Sequence, residues 1–107
     1  MDVPEIDIAT AATRHATGSP ILDVRSPDEY VAGHVPGAVL VPLAELAGRL
    51  GEVPVGDELL VICKAGGRSY KAAEVLRGQG IDAVNIAGGT DAWIAAGHPV
   101  ASGNEPG

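Results

Sequence analysis

Short apolar segments alternate with helix signals along the chain, and this alternation constrains the fold more strongly than any other feature. The apolar segments lie at residues 21–24, 39–41, 59–63 and 84–86, and a turn that contains Gly or Pro follows each of them. Strands that alternate with helices form βα units, and the crossover in each unit makes neighbouring strands parallel. The sequence therefore predicts an α/β fold with a largely parallel sheet and helices on both faces.

Capping residues indicate where the helices begin. Asp7 is the expected N-cap of a helix that ends near Gly18, and Ser26 followed by Pro27 marks the start of a second helix. Further helices are predicted at 42–50, at 69–77 and in the segment that ends at Gly97. Residues 101–107 show no apolar pattern, so we expect a domain over residues 1–100 followed by a disordered C-terminal tail over 101–107.

The composition is compatible with one ordinary core. A chain of 107 residues can bury roughly two-thirds of its unfolded surface. Aromatic residues make up 3% of the chain, so the core has to consist of Val, Ile, Leu and Ala. Apolar runs such as 59–63 are far shorter than the roughly 18 residues of a membrane span, and the first residues carry acids where a secretory signal is basic. We therefore expect a cytoplasmic protein with no membrane partner.

The charged and metal-binding residue types exclude several further classes. A net charge of −7 argues against a nucleic-acid partner, because affinity for nucleic acid comes largely from Lys and Arg. One cysteine cannot form an intramolecular disulfide, and His15, His34 and His98 do not have the spacing of zinc ligands. We expect no metal and no cofactor, and a monomer is the simplest assembly.

The single cysteine, Cys63, lies where an apolar strand meets a glycine-containing loop, "CKAGGRS", and a helix. Gly66 and Gly67 can adopt positive φ, so consecutive backbone amides can converge on one point near the helix N-terminus. Such an environment, with Lys64 and Arg68 beside it, favours a thiolate and lowers the pKa of a cysteine. A cysteine after "LLVI" is often a small core residue, but two glycines and two flanking cations favour a nucleophile.

The basic residues are concentrated in the same part of the chain. Residues 64–77 contain four of the seven Lys and Arg side chains and one acid, which gives this segment a charge of +3 in an acidic protein. We expect Lys64 and Arg68 to attract a small anionic substrate to the thiol, because charges farther than about 8 Å away are largely screened at physiological salt.

The loop "CKAGGRS" resembles the C-x-x-G-x-R-[ST] active-site loop of the rhodanese-like single-domain sulfurtransferases. The segment "ILDVRSPDEYVAGHVPGAVLVP" is similar to that family's Asp-Val-Arg, Glu-Tyr and Gly-His-(Ile/Val)-Pro-Gly-Ala motifs, and "NIAGGTDAWIAAGHPV" resembles its closing segment. The resemblance covers roughly residues 5 to 100. Leu40 stands where members often have Asn, which is a small departure. The resemblance implies a single domain with a five-stranded parallel sheet.

The resemblance also implies a reaction. Cys63 would be the nucleophile that becomes a persulfide, taking a sulfur from thiosulfate or a similar anionic donor and passing it to cyanide or an acceptor thiol, including a thiol on another protein. The residues that would surround the transferred sulfur are Lys64, Ala65, Gly66, Gly67 and Arg68. Ser69 is expected to cap the following helix and is also suited to hydrogen-bond the sulfur.

Two other functions stay open at this point. Tyrosine-phosphatase-like and arsenate-reducing enzymes also use a thiolate among backbone amides, but their loops read C-x5-R, whereas the spacing from Cys63 to Arg68 is C-x4-R. A smaller loop suits a single sulfur atom better than a tetrahedral oxyanion. The other alternative is a non-enzymatic rhodanese-like module that carries sulfur or binds a protein. The presence of Cys63 in a full loop favours a catalytically competent domain.

Four further residues near these motifs have a structural interpretation. Asp23 and Arg25 are expected to pair with each other or with the loop, at the same sheet edge as Cys63. His34 could be taken for a general base, but a thiolate that its loop already ionises needs none. Trp93 is expected to be a packing residue.

Overall fold

The computed structural model describes residues 2–107 and consists of a five-stranded parallel sheet with helices packed on it. The spatial strand order is β1-β5-β4-β2-β3. The strands are β1 (Glu5–Ile6), β2 (Ile21–Asp23), β3 (Val39–Leu40), β4 (Leu59–Ile62) and β5 (Ala83–Ile86), and the helices are α1 (Ile8–Ala16), α2 (Pro27–Ala32), α3 (Gly67–Gly78) and α4 (Gly89–Ala95). The predicted α/β fold with a parallel sheet is confirmed.

The central strand β4 explains the two-layer core. All four of its residues are buried, and successive side chains point to opposite faces of the sheet. Leu60 and Ile62 join the cluster that includes residues of α1 and α4, whereas Leu59 and Val61 join the cluster that includes residues of α3. The sheet is therefore covered by helices on both faces. Because β4 is the central strand, it ends in the middle of the carboxyl edge of the sheet.

The caps predicted from the sequence form as expected in two helices. The Asp7 side chain accepts a hydrogen bond from the Thr10 N–H at 2.8 Å. Ser26 and Glu29 form a reciprocal capping box at the start of α2, with Pro27 in the first turn. Both caps are local in sequence, which is why the sequence alone could indicate them.

The segment between β3 and β4 differs from its prediction. Instead of one helix over 42–50, the chain forms two 3-10 segments, Leu43–Gly48 and Leu50–Glu52. The Leu43 N–H bonds to the Val24 carbonyl at 3.1 Å, so the first of these segments starts against the end of β2. Gly48 and Gly51 lower the helical propensity of the remainder.

The edge strand β1 is absent from the strands predicted from the apolar pattern. It is two residues long and lies beside β5, where the Asn85 N–H donates to the Pro4 carbonyl at 2.8 Å and the Ala87 N–H donates to the Ile6 carbonyl at 2.9 Å. A strand this short carries no alternation that a sequence pattern could reveal.

The C-terminal segment, expected to be a disordered tail, has defined contacts in the structure. Ala101 forms an antiparallel bridge with His34. The Gly103 N–H donates to the Val31 carbonyl at 2.9 Å, and the Pro106 carbonyl accepts from the Gly37 N–H at 2.7 Å. These contacts use backbone groups and need no apolar pattern.

Within residues 2–107, no helix has the length and apolar character that crossing a bilayer requires.

Candidate active site

Cys63 directly follows β4 at the carboxyl edge of the sheet, and α4 fixes its backbone. The Cys63 carbonyl accepts hydrogen bonds from the Thr90 N–H at 2.8 Å and from the Thr90 hydroxyl at 3.0 Å. The next carbonyl, that of Lys64, accepts from the Asp91 N–H at 3.0 Å. The first turn of α4 therefore holds the start of the loop in place. The loop lies at the carboxyl edge of the sheet, where ligands of parallel sheets bind.

The Cys63 sulfur is surrounded by hydrogen-bond donors. The Gly66 N–H lies 3.0 Å from Sγ and the Ser69 hydroxyl lies 3.2 Å from it. Burial raises the pKa of the Cys63 thiol, but hydrogen bonds from the Ser69 hydroxyl and from the N–H groups of Ser69, Gly66 and Ala65 outweigh it, so the net pKa lies below that of an ordinary cysteine. The thiol is therefore prepared to react as a thiolate.

Gly66 and Ser69 explain how the loop turns toward the sulfur. Gly66 has a φ of +115° and is the N-cap of α3, a conformation that favours glycine. The expectation that Ser69 caps this helix is wrong. Because α3 already starts at Gly67, Ser69 lies within the first turn, and its buried hydroxyl donates to Cys63 Sγ.

The remaining loop residues are more open. Lys64 and Ala65 are exposed, and so is Gly67, where a side chain would meet nothing within 4 Å. The Lys64 ammonium lies 2.8 Å from the Asp91 carboxylate, with both side chains more than half exposed. The seven predicted site residues are consecutive and run from the end of β4 through the loop into the first turn of α3, and the charge of Lys64 has a partner on α4.

Arg68 has a stronger partner, Glu29 of α2. Its two terminal nitrogens lie 2.7 and 2.9 Å from the two Glu29 carboxylate oxygens. The hydrogen bonds from Arg68 hold the pKa of Glu29 at about 2, well below its usual value. Sequence reasoning missed this role of Glu29, and its position three residues after Ser26, in the capping box, is the one signal that could have indicated it.

Asn85 supports the loop from behind. It is fully buried in β5, and its side-chain N–H group donates to the Gly66 carbonyl at 3.2 Å and to the Glu5 carboxylate at 2.7 Å. The amide oxygen has no hydrogen-bond partner among residues 2–107. Sequence reasoning missed this residue, although an amide between Val84 and Ile86 in a buried strand is a signal that could have indicated it.

The other expected structural residues lie at or near the same edge. Arg25 donates to both carboxylate oxygens of Asp23 at distances of 2.7 to 3.1 Å, and both side chains are buried. His34 is buried, with its ring nitrogens at 2.8 Å from the Tyr30 carbonyl and 3.0 Å from the Pro106 carbonyl. Trp93 is buried in the core. These contacts agree with packing interpretations.

A shallow apolar cleft of about 350 Å³ lies beside the loop. Its wall consists of Val24, Pro42, Leu43 and Ala44, and its rim of Arg25, Ser26 and Arg68. Arg68, five residues after Cys63, lines the cleft, and Val24 of its wall belongs to the same buried cluster as Cys63. The cleft is therefore adjacent to the thiol.

Among residues 2–107, no cluster of three His, Cys, Asp or Glu side chains could hold a metal ion.

Comparison with known proteins assigns the chain to a family. The sequence model of the family described as "Rhodanese-like domain" matches residues 8–96. The chain belongs to the rhodanese-like domain family. It is 35% identical over 101 residues to a sulfurtransferase of Allochromatium vinosum, covering 92% of this chain and 94% of that protein. It is also 36% identical over 77 residues to the thiosulfate sulfurtransferase GlpE of Pseudoalteromonas translucida, covering 71% and 73%.

The rhodanese-like fold is equally clear from solved structures. A rhodanese-related protein from Thermoplasma volcanium superposes with a TM-score of 0.84 at 30% identity, covering 95% of this chain and 99% of that one. The expected membership is thus confirmed, and relatives of similar length carry the name sulfurtransferase.

Proposed function

We propose that this rhodanese-like domain is a cytoplasmic, monomeric sulfurtransferase that moves a sulfane sulfur from thiosulfate or a similar donor to cyanide or an acceptor thiol, through a persulfide on Cys63. The observation that carries the proposal is the environment of Cys63 Sγ, which lies 3.0 Å from the Gly66 N–H and 3.2 Å from the Ser69 hydroxyl. Donors in this arrangement stabilise the Cys63 thiolate, both when it attacks the sulfur donor and when it leaves as the persulfide is discharged.

The first half-reaction forms the persulfide. The Cys63 thiolate attacks the outer sulfur of thiosulfate, a new S–S bond forms, and the S–S bond of thiosulfate breaks, so that sulfite leaves with the electron pair. Gly66, Gly67 and the following turn of α3 would surround the transferred sulfur, with the Ser69 hydroxyl directed at the original one.

The second half-reaction regenerates the thiolate. Cyanide or a thiolate attacks the outer sulfur of the persulfide, and Cys63 leaves as a thiolate with the electron pair of the broken S–S bond. The chain contains no second cysteine that could attack the persulfide from within. The sulfur therefore has to pass to an external molecule, which is either a small acceptor or a thiol on another protein.

Intact-mass spectrometry tests both half-reactions. Incubation of the reduced protein with thiosulfate should add the mass of one sulfur atom, and later addition of cyanide should remove it. The Cys63→Ser variant is the matched control and should gain no mass. A wild-type protein that stays unmodified while its thiol remains reactive would contradict thiosulfate as donor, and a Cys63→Ser variant as active as the parent would contradict the mechanism.

A further inference from the structure

The cations beside the thiol are already neutralised. Arg68 is held by both carboxylate oxygens of Glu29, and Arg25 by both carboxylate oxygens of Asp23. These two arginines are the cations that line the cleft beside Cys63. An anionic group that enters the cleft would have to compete with a carboxylate for Arg68, or stay close to the charge of Glu29 without compensation.

The wall of the cleft is apolar and joins the reactive edge of the sheet. Val24 directly follows β2 as Cys63 follows β4, the Val24 N–H donates to the Ile62 carbonyl at 3.0 Å, and Val24 belongs to the same buried cluster as Cys63. The Leu43 N–H donates to the Val24 carbonyl, which fixes Leu43 beside Val24 in the wall of the cleft. Leu43 is half-buried and Ala44 exposed, so a ligand would cover apolar surface there.

We propose that the preferred sulfur acceptor is a thiol with a small apolar body and no charge besides that of its thiolate, seated in the cleft of Val24, Pro42, Leu43 and Ala44. Glu29 is a specificity-determining residue, because it neutralises Arg68 and so disfavours acceptors with an anionic group. This inference rests on the proposed function and specifies the acceptor in its second half-reaction. The acceptor thiolate R–S⁻ attacks the outer sulfur of the Cys63 persulfide, the persulfide S–S bond breaks, and the products are R–S–SH and the Cys63 thiolate.

Glu29→Gln changes this charge with little change in shape. Gln is the other residue that completes a capping box, so its side-chain oxygen can still accept from the Ser26 N–H and from Arg68. What the variant removes is the negative charge, so the charge of Arg68 is no longer compensated and can attract an anion. Leu43→Ser is the complementary variant, because it removes apolar surface from the wall without altering a charge.

The experiment measures discharge of the persulfide by thiols of similar size. Protein preloaded with thiosulfate is desalted and mixed with 1-butanethiol, 2-mercaptoethanol or 3-mercaptopropanesulfonate, and loss of the extra sulfur is followed by intact mass. The wild type should react about tenfold faster with butanethiol than with the sulfonate, because the two thiols share a three-carbon chain and differ in placing a methyl group or a charged sulfonate against the apolar wall. Glu29→Gln should reduce that ratio several-fold by accelerating the sulfonate, and Leu43→Ser should reduce it by slowing butanethiol.

Two remote variants are matched controls. Glu52→Gln removes the same charge from an exposed pair with Arg49, and Val55→Ser removes an apolar side chain that is 96% exposed. Both should keep the wild-type ratio. Equal rates for butanethiol and the sulfonate in the wild type, or an unchanged ratio in Glu29→Gln, would overturn the inference and leave the proposed function intact. Failure of the wild type to acquire a persulfide from thiosulfate or from any similar sulfane-sulfur donor would overturn both.

Discussion

Gly89 is the position at which a single methyl group should disturb the active site most directly. It has a φ of +59°, and a Cβ there would lie 2.5 Å from the carbonyl oxygens of both Cys63 and Lys64. Ordinary contact begins near 3.4 Å, so the Gly89→Ala variant has to separate α4 from the loop by roughly 1 Å. The movement strains the hydrogen bonds that Thr90 and Asp91 donate to those two carbonyls.

The expected loss of stability follows from these contacts. A left-handed conformation costs an Ala about 1–2 kcal/mol. Weakening three hydrogen bonds of about 1 kcal/mol each brings the expected loss to roughly 3–5 kcal/mol. Gly97→Ala is the matched control, because Gly97 has a φ of +82° but open space around its Cβ position. It should cost only the conformational part, about 1–2 kcal/mol.

Urea unfolding measures both variants. Trp93, the one tryptophan of the chain, lies in α4 and reports on the transition by fluorescence. Equal m-values would show that both variants unfold from native states of similar compactness. Gly89→Ala should be less stable than Gly97→Ala by about 2–3 kcal/mol, the free energy of the three weakened hydrogen bonds. A difference below about 0.5 kcal/mol would refute the argument, because the contact with the loop would then have no energetic consequence.

Three other substitutions test separate parts of the site. Ser69→Ala removes a donor to Sγ, so the pKa of Cys63 should rise and its alkylation by iodoacetamide should require a higher pH. Glu29→Gln should lower stability by about 1 kcal/mol at neutral pH, since Arg68 is 40% exposed and its pair is screened. That difference should disappear as the pH falls from about 4.5 toward 2, because the folded-state pKa of Glu29 is lowered to about 2. Asp23→Asn should cost about 3–5 kcal/mol in urea unfolding, because it leaves a buried arginine unpaired.

Ser69→Ala has a conservative counterpart at the same position, and the other two variants have controls at other ion pairs. Ser69→Thr keeps the hydroxyl and should restore most of the wild-type pH profile of alkylation. Glu52→Gln should show a smaller loss of stability between pH 4.5 and 7, because the Glu52 side chain is 55% exposed and that of Glu29 is 29% exposed. Asp82→Asn breaks another exposed pair, with Arg77, and should be nearly neutral. If the exposed and buried substitutions had similar effects, burial would not be the cause of the losses.

The features that the sequence could predict depend on neighbours along the chain. The buried strand β4, the Asp7 and Ser26 caps and the glycine turn after Cys63 are each encoded within a few residues. The features that it could not predict depend on distant partners. The edge strand β1 exists because Pro4 and Ile6 meet β5, and the C-terminal segment is placed by backbone contacts with His34 and its neighbours.

Ser69 shows how a local signal can lead to a wrong assignment. Serine before an apolar helical stretch is a common N-cap, and the linear sequence offers no reason to choose otherwise. The positive φ of Gly66 starts α3 two residues earlier, so the helix begins without a side-chain cap. The hydroxyl is then directed at sulfur instead of a backbone N–H.

The charge of a segment and the charge of a site are different quantities, and the loop illustrates the difference. Residues 64–77 carry a charge of +3 along the chain, which predicts attraction of an anion. In the fold, Lys64 meets an aspartate 27 residues away and Arg68 a glutamate 39 residues away. What remains next to Cys63 is a set of backbone and hydroxyl donors beside an apolar wall. Such donors stabilise a thiolate and a persulfide at short range. Selection of the acceptor depends instead on Arg68, whose charge Glu29 already neutralises.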